Sequence, residues 1–335
     1  MTIDEEKTPK PHDILWFSDG SAVLATDTYL FKVHKGVLAL HSSVFKDMFE
    51  LLNVEGSNAG KICVWKAQGV YEGLPLVTLV GDKGEDVVHL LRAVYELNYH
   101  DHHSRDTPLQ TVVALLYLST KYDFKAIRKN VIMQISRLHP MALSDYLPLL
   151  EKRESQFQME QSSTCLITLL AAAFKSNADV LLPTLYFRCS DLKMKTILDE
   201  SDSLPQECLR VLLIGRDLLR EAITERVTEL PNTLRNEAHD GFEDAKKKCL
   251  WSKGVPCVST ASYAFFSEFC FTCFYLPTGA GLVKVYLDPM CADCSAFTAK
   301  VLEEMREEIW ALVPSIFGCP EWSVLKEKFK EIAEN

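Results

Sequence analysis

Four cysteines near the end of the chain have the spacing of a metal site. Cys270-Phe-Thr-Cys273 and Cys291-Ala-Asp-Cys294 are two C-x2-C pairs separated by seventeen residues, a pattern that fits four thiolates around zinc. The flanking residues point elsewhere. Phe271 and Phe274 stand where zinc knuckles carry glycine or small polar residues. Cysteines three apart also share a helix face, so Cys270 and Cys273 suit a buried stripe beside Phe266 and Phe269. Zinc ligands and core cysteines both stay open here, with core cysteines the favoured reading and no cofactor expected. A second cluster, His100, Asp101, His102, His103 and Asp106, is ligand-like in composition. On a polar tip the side chains of His102 and His103 are expected to point apart, so a solvated loop is predicted there.

The remaining chemistry is sparse. His34 could act as a base, but its place between a strand and a helix predicts an imidazole that fixes the turn. Gly279-Ala-Gly281 lacks the third glycine of a dinucleotide fingerprint and is expected to turn into a strand, LVKVYL. Glu303-Glu304 and Glu307-Glu308 belong to the solvated face of a helix. No nucleophile elbow, zinc-protease motif or phosphate loop occurs, and no enzyme is predicted.

Composition narrows the partners. The 335 residues carry a net charge of −10, which disfavours binding to nucleic acid through a basic face. Asp4, Glu5 and Glu6 occupy the place of an apolar leader, and eleven cysteines without one predict reduced thiols in the cytoplasm or nucleus. Between Lys253 and Lys284 the only charge is Glu268. Pro256, Pro277 and frequent Ser and Thr there predict a buried helix and no membrane span.

The elements that must position these residues divide the chain into four parts. Residues 1–11 are expected to be a disordered tail. From 12 to 139, ILWF, SAVLAT and YLFKV are predicted strands, the last two a hairpin about Thr26-Asp27-Thr28. A helix from about Lys35 to Leu52 follows, then strands ICVW and PLVTLV, a helix N-capped by Asp86, and the helices TVVALLYLSTKYDF and AIRKNVIMQISRL. Residues 140–230 show only helical periodicity. Residues 231–335 are expected to be helical, rich in cysteine and aromatic residues, and to end in a long helix that stops at Phe317-Gly318.

Phe31, His34, Lys35, Leu38, Ala39, Ser42, Phe45, Met48 and Phe49 form the pattern that gives the first part a family. With His12-Asp13-Ile14, Tyr95 and the Leu115 to Tyr122 stretch, it resembles a BTB/POZ domain. LLPTLYFRCSDL, LIGRDLLRE and PSIFGCPEW are similar to the large BTB set of mushroom-forming fungi. The resemblance implies an α+β chain, a small sheet flanked by helices, followed by a mainly α-helical region. It also implies a protein–protein adaptor or scaffold that forms a homodimer or hetero-oligomer, with Asp13 and Lys35 in a charged pocket at the dimer groove. Ile14, Trp16, Val37, Leu38, Leu40 and Val44 are expected at that surface or under it. A substrate adaptor of a cullin ubiquitin ligase and a transcriptional regulator with a zinc-binding C-terminal module are the alternatives.

Overall fold

The computed structural model describes residues 8–52, 65–104, 106–151, 163–236, 240–249, 273–274, 276–287 and 290–334. Five strands, β1 (Lys10–Trp16), β2 (Ala22–Ala25), β3 (Tyr29–Val33), β4 (Trp65–Tyr71) and β5 (Leu74–Leu79), form one mixed sheet in the order β1-β3-β2-β5-β4. The β2–β3 pair is the expected hairpin, Ala25 opposite Leu30. The β4–β5 hairpin was not foreseen. Glu72 and Gly73 both have positive φ, 48° and 80°, the two-residue turn whose twist matches the flanking strands. β4 accordingly continues from Trp65 to Tyr71, while the rest of the predicted strand ICVW lies outside the described residues.

β2 is buried throughout, because the sheet has apolar contacts on both faces. Ala22 and Leu24 join Leu15, Phe31, Val33, Val77 and Leu79 under the helices. Val23 and Ala25 join Leu30 on the opposite face, with Trp16, Tyr71, Leu74 and Leu76 packed around them. Trp16 and Tyr71 come from the two outer strands, about 19 Å apart in a flat sheet. Their rings meet edge to face at 6.0 Å, so the sheet curls and covers its own second face.

The predicted tail is shorter than expected, since Lys10 and Pro11 pair with Tyr29 and Leu30; residues 1–7 lie outside the described part. The predicted helix over 35–52 is two helices, α1 (Lys35–His41) and α2 (Ser43–Leu52). Ser42 breaks it. Its backbone is extended, and its hydroxyl accepts from Phe45 N at 3.0 Å while donating to Tyr122 O at 2.5 Å. The bonds to a distant carbonyl and the next helical turn offset the helical position lost at Ser42. Asp86 does not cap α3 (Gly84–Tyr95) but lies in its first turn, next to Glu85. The carboxylate of Asp27, on the hairpin turn, accepts from Gly84 N at 2.8 Å instead.

α4 (Leu109–Lys121) and α5 (Lys125–Leu138) join the sheet unit to the helical body. Leu118 and Tyr122 belong to the interior under the sheet; Val112, Leu115 and Leu116 belong to the larger interior of the body. His139 ends α5 and is buried with neither ring nitrogen hydrogen-bonded. Burial beside the Arg188 guanidinium lowers its pKa to about 3.

The body is α6 (Leu143–Glu151), α7 (Ser163–Lys175), α8 (Leu182–Ser190), α9 (Met194–Asp199), α10 (Gln206–Thr233), α11 (Phe242–Lys248), α12 (Gly279–Leu282), α13 (Ala292–Ile316) and α14 (Trp322–Glu334). α10 passes through Pro231 without a break, where a boundary was expected. Trp310 is the hub. It stacks on Tyr146 at 5.1 Å and Trp322 at 5.5 Å, and meets Phe187 edge-on at 5.0 Å. Its indole N–H donates to Met141 O. No described helix is long and apolar enough to cross a membrane; most of the low-charge stretch lies outside the described residues.

Gly215, in the middle of α10, faces Phe317. A Cβ there would lie 2.2 Å from the ring, and that ring stacks on Tyr186 at 5.1 Å. Gly215→Ala gains about 1 kcal/mol of helix propensity but overpacks a site where Phe317 cannot retreat. A net loss of about 1–2 kcal/mol is expected in denaturant unfolding, relieved by adding Phe317→Leu.

Candidate docking surface

β1 is an edge strand, and its middle departs from β3. Pairing lapses between Pro11 and Trp16, and His12 Nδ1 accepts there from both Ile14 N and Leu15 N at 3.2 Å. The ring rests against Tyr29 at 5.0 Å and Phe31 at 5.6 Å, and partial burial lowers its pKa, which favours the acceptor form. The irregularity sorts two neighbouring apolar residues. Leu15 is 1% exposed and Ile14 is 59% exposed.

α1 is held by its first residues. Ser21 Oγ accepts from Lys35 N at 3.0 Å. His34 N donates to Tyr95 Oη at 2.9 Å, and its Nε2 lies 3.1 Å from the Asp19 carboxylate. That bond holds the Asp19 carboxyl below its usual range. His34 therefore ties the strand-to-helix turn to α3 and to the loop after β1, as the sequence predicts, and no substrate-sized opening is needed to explain it. From this start α1 exposes Leu40 at 78%, with Val37 and, on α2, Val44 half-buried.

The predicted surface residues separate accordingly. Ile14 and Leu40 are outward, and Trp16, Val37 and Val44 are partly covered. Leu38 is a fully buried member of the core and lies under the surface, out of reach of a partner. Asp13 is exposed and Lys35 half-buried; among the described residues they form no ion pair with each other. Leu97, 93% exposed after α3, and Val70, 72% exposed on the other edge strand, were not foreseen. A lone apolar residue in a polar stretch gives no periodic signal.

The histidine tip differs from expectation. His102 and His103 do not point apart; their ring centroids are 4.1 Å apart. Asp101 Oδ1 accepts from His103 N at 2.8 Å, curling the loop, and Arg137 donates to His102 O at 3.2 Å and His103 Nδ1 at 2.7 Å. Asp101, His102 and His103 do converge, and the Arg137 guanidinium already engages one nitrogen of His103. His100 turns inward to Gln134 Oε1 at 2.8 Å, so the loop is anchored and only partly solvated.

The cysteines also regroup. Cys273 is buried, and Cys270 lies outside the described residues. The thiol that joins Cys291 and Cys294 is Cys249, which follows three lysines and has no motif spacing to mark it. Gly279-Ala-Gly281 does not enter a strand. Thr278 Oγ1 accepts from Gly281 N at 3.1 Å and starts α12, which passes into a π turn over Val283–Leu287. Leu282, Val283 and Leu287 bury at helical spacing there, a period that outweighs the β-branched residues. The glycine at 279 is required, because a Cβ would lie 2.4 Å from the Ala299 carbonyl oxygen.

Residues 18–70 match the family model of the BTB/POZ domain. This segment is a BTB/POZ domain. The match begins just after β1 and ends within β4, so it contains α1 and its anchoring histidine. BTB/POZ domains are protein–protein interaction modules, and they mediate partnerships and dimerisation; the domain is not catalytic. In this chain the BTB domain is followed by a mainly helical region. No curated protein and no solved structure matches the chain.

Proposed function

We propose that this protein is an adaptor or scaffold that pairs through its BTB domain with a second copy of itself, and that it performs no bond-changing chemistry. The observation that carries this reading is that the domain has both an irregular edge strand and an anchored helix. Each turns a large aliphatic side chain, Ile14 or Leu40, into solvent. An edge strand that turns a large apolar residue outward is open to a second chain. Burying one such side chain contributes about 1.5–3 kcal/mol, and four across a two-fold contact make a substantial part of an interface of about 2,000 Å2. The family resemblance assigns the partly covered Trp16, Val37 and Val44 and the polar Asp13 and Lys35 to the same contact surface.

Light scattering tests the pairing. The chain is expected to run as a dimer at micromolar concentration. Ile14→Asp with Leu40→Asp is expected to weaken it at least about a thousand-fold, roughly 4 kcal/mol, with an unchanged circular dichroism spectrum. A strict monomer for the unsubstituted chain would overturn the reading. Pull-down with a cullin, with and without the two substitutions, separates a ligase adaptor from a plain scaffold.

A further inference from the structure

We infer that Cys249, Cys291 and Cys294 form a structural site for a zinc ion that staples the end of α11 to the start of α13. This is independent of the docking surface. The three sulfurs lie within 4.8 Å of one another, and Cys249 Sγ is 3.8 Å from Cys291 Sγ. A tetrahedral zinc with Zn–S bonds of about 2.3 Å requires sulfurs about 3.8 Å apart. A disulfide would need about 2.05 Å; 3.8 Å fits two ligands sharing an ion and equally the hydrogen bond from the Cys291 thiol to Cys249 Sγ.

Cys291 is the N-cap of α13 and Cys294 lies in its first turn, where unpaired backbone N–H groups and the helix dipole stabilise negative charge. Cys249 follows the last turn of α11, Lys246, Lys247 and Lys248. α11 and α13 are already apposed. Phe242 meets Phe297 at 6.1 Å, and Lys300 Nζ lies 2.6 Å from Asp240 Oδ2. The site is therefore formed before the ion arrives. On binding, each thiol releases its proton to solvent and the sulfur lone pair fills a metal orbital, with no redox change. Soft sulfur ligands without an oxygen ligand among them select zinc over magnesium or calcium. The fourth position belongs to a ligand other than these three.

Such an ion would close the chain between residues 249 and 291, restricting the unfolded ensemble as other cross-links do. Its role is mechanical: it fixes where α13 begins, and α13 carries the Trp310 hub.

The test uses the full chain produced with supplemented zinc and dialysed without chelator. Elemental analysis is expected to give one zinc per chain. Cobalt substitution is expected to show thiolate-to-metal charge transfer and the visible bands of a tetrahedral ion. Cys249→Ser, Cys291→Ser and Cys294→Ser combined should lose the metal, while Cys319→Ser, beyond the far end of α13, should keep it. Should the triple variant not fold, a strong chelator added to the native chain is expected to lower its melting temperature, and returned zinc to restore it. A native chain that folds without metal, a Cys249–Cys291 disulfide in non-reducing peptide mapping, or zinc retained by a folded triple variant would each overturn the inference.

Discussion

Acidifying the protein from pH 6.5 to pH 3 is expected to remove several kcal/mol of stability through His139 alone. The imidazole is neutral when buried, with its pKa lowered to about 3 by burial and the Arg188 guanidinium, whereas in the unfolded chain it titrates near 6.5. Above pH 6.5 both states hold the same proton count and the residue contributes no slope. Between 6.5 and 3 the unfolded chain takes up a proton that the folded one refuses, so stability falls by about 1.4 kcal/mol per pH unit. The full loss approaches about 5 kcal/mol. Denaturant unfolding measured across this range with the native chain and His139→Leu isolates the effect, because the leucine variant should lack that component. Equal slopes for the two proteins would show that His139 is protonated in the fold. His12, His89, His100 and His102 are also lowered, chiefly by burial; they act in the same direction and remain in both proteins.

Replacing Lys121 by methionine is expected to cost about 3–5 kcal/mol. Asp82 is almost fully buried where β5 turns toward α3. Lys121 Nζ reaches its Oδ1 at 2.5 Å, and the Tyr122 hydroxyl donates to its Oδ2. Tyr122 in turn packs on Phe45 at 5.0 Å and receives the Ser42 hydroxyl on its carbonyl. The network thus ties the sheet, the α1–α2 break and the end of α4 together. Removing the ammonium strands a carboxylate away from water. Removing both charges, as in Lys121→Met with Asp82→Leu, should recover most of the loss. A double-mutant cycle in guanidinium measures it, and additive losses would contradict a coupled pair.

The N-terminal architecture was legible because its signals are local and redundant. The Phe31 to Phe49 pattern combines a period of two with a period near four, and the hairpin about Asp27 announces itself in turn residues. Ser42 hid its helix break because its bond to Tyr122 O spans eighty positions, a distance no window senses. The β4–β5 turn was readable in Glu72-Gly73 and was missed, since the alternation around it is weak. Ile14 and Leu40 were expected at or under a contact surface by resemblance, but only the His12 bond to the backbone explains why Ile14 faces out while Leu15 faces in. Cys249 could not be found from spacing, because α11 and α13 meet by tertiary packing, and the paired C-x2-C pattern pointed to Cys273 instead.

α4 carries one last implication. Its leucines are divided between two interiors, so neither half of the molecule is complete without the other. A fragment ending after α5 would strip the α7 side from the interior that holds Val112, Leu115 and Leu116, offering a sticky stripe to its neighbours. The two parts share a helix that each needs, so cutting between them is expected to destabilise both.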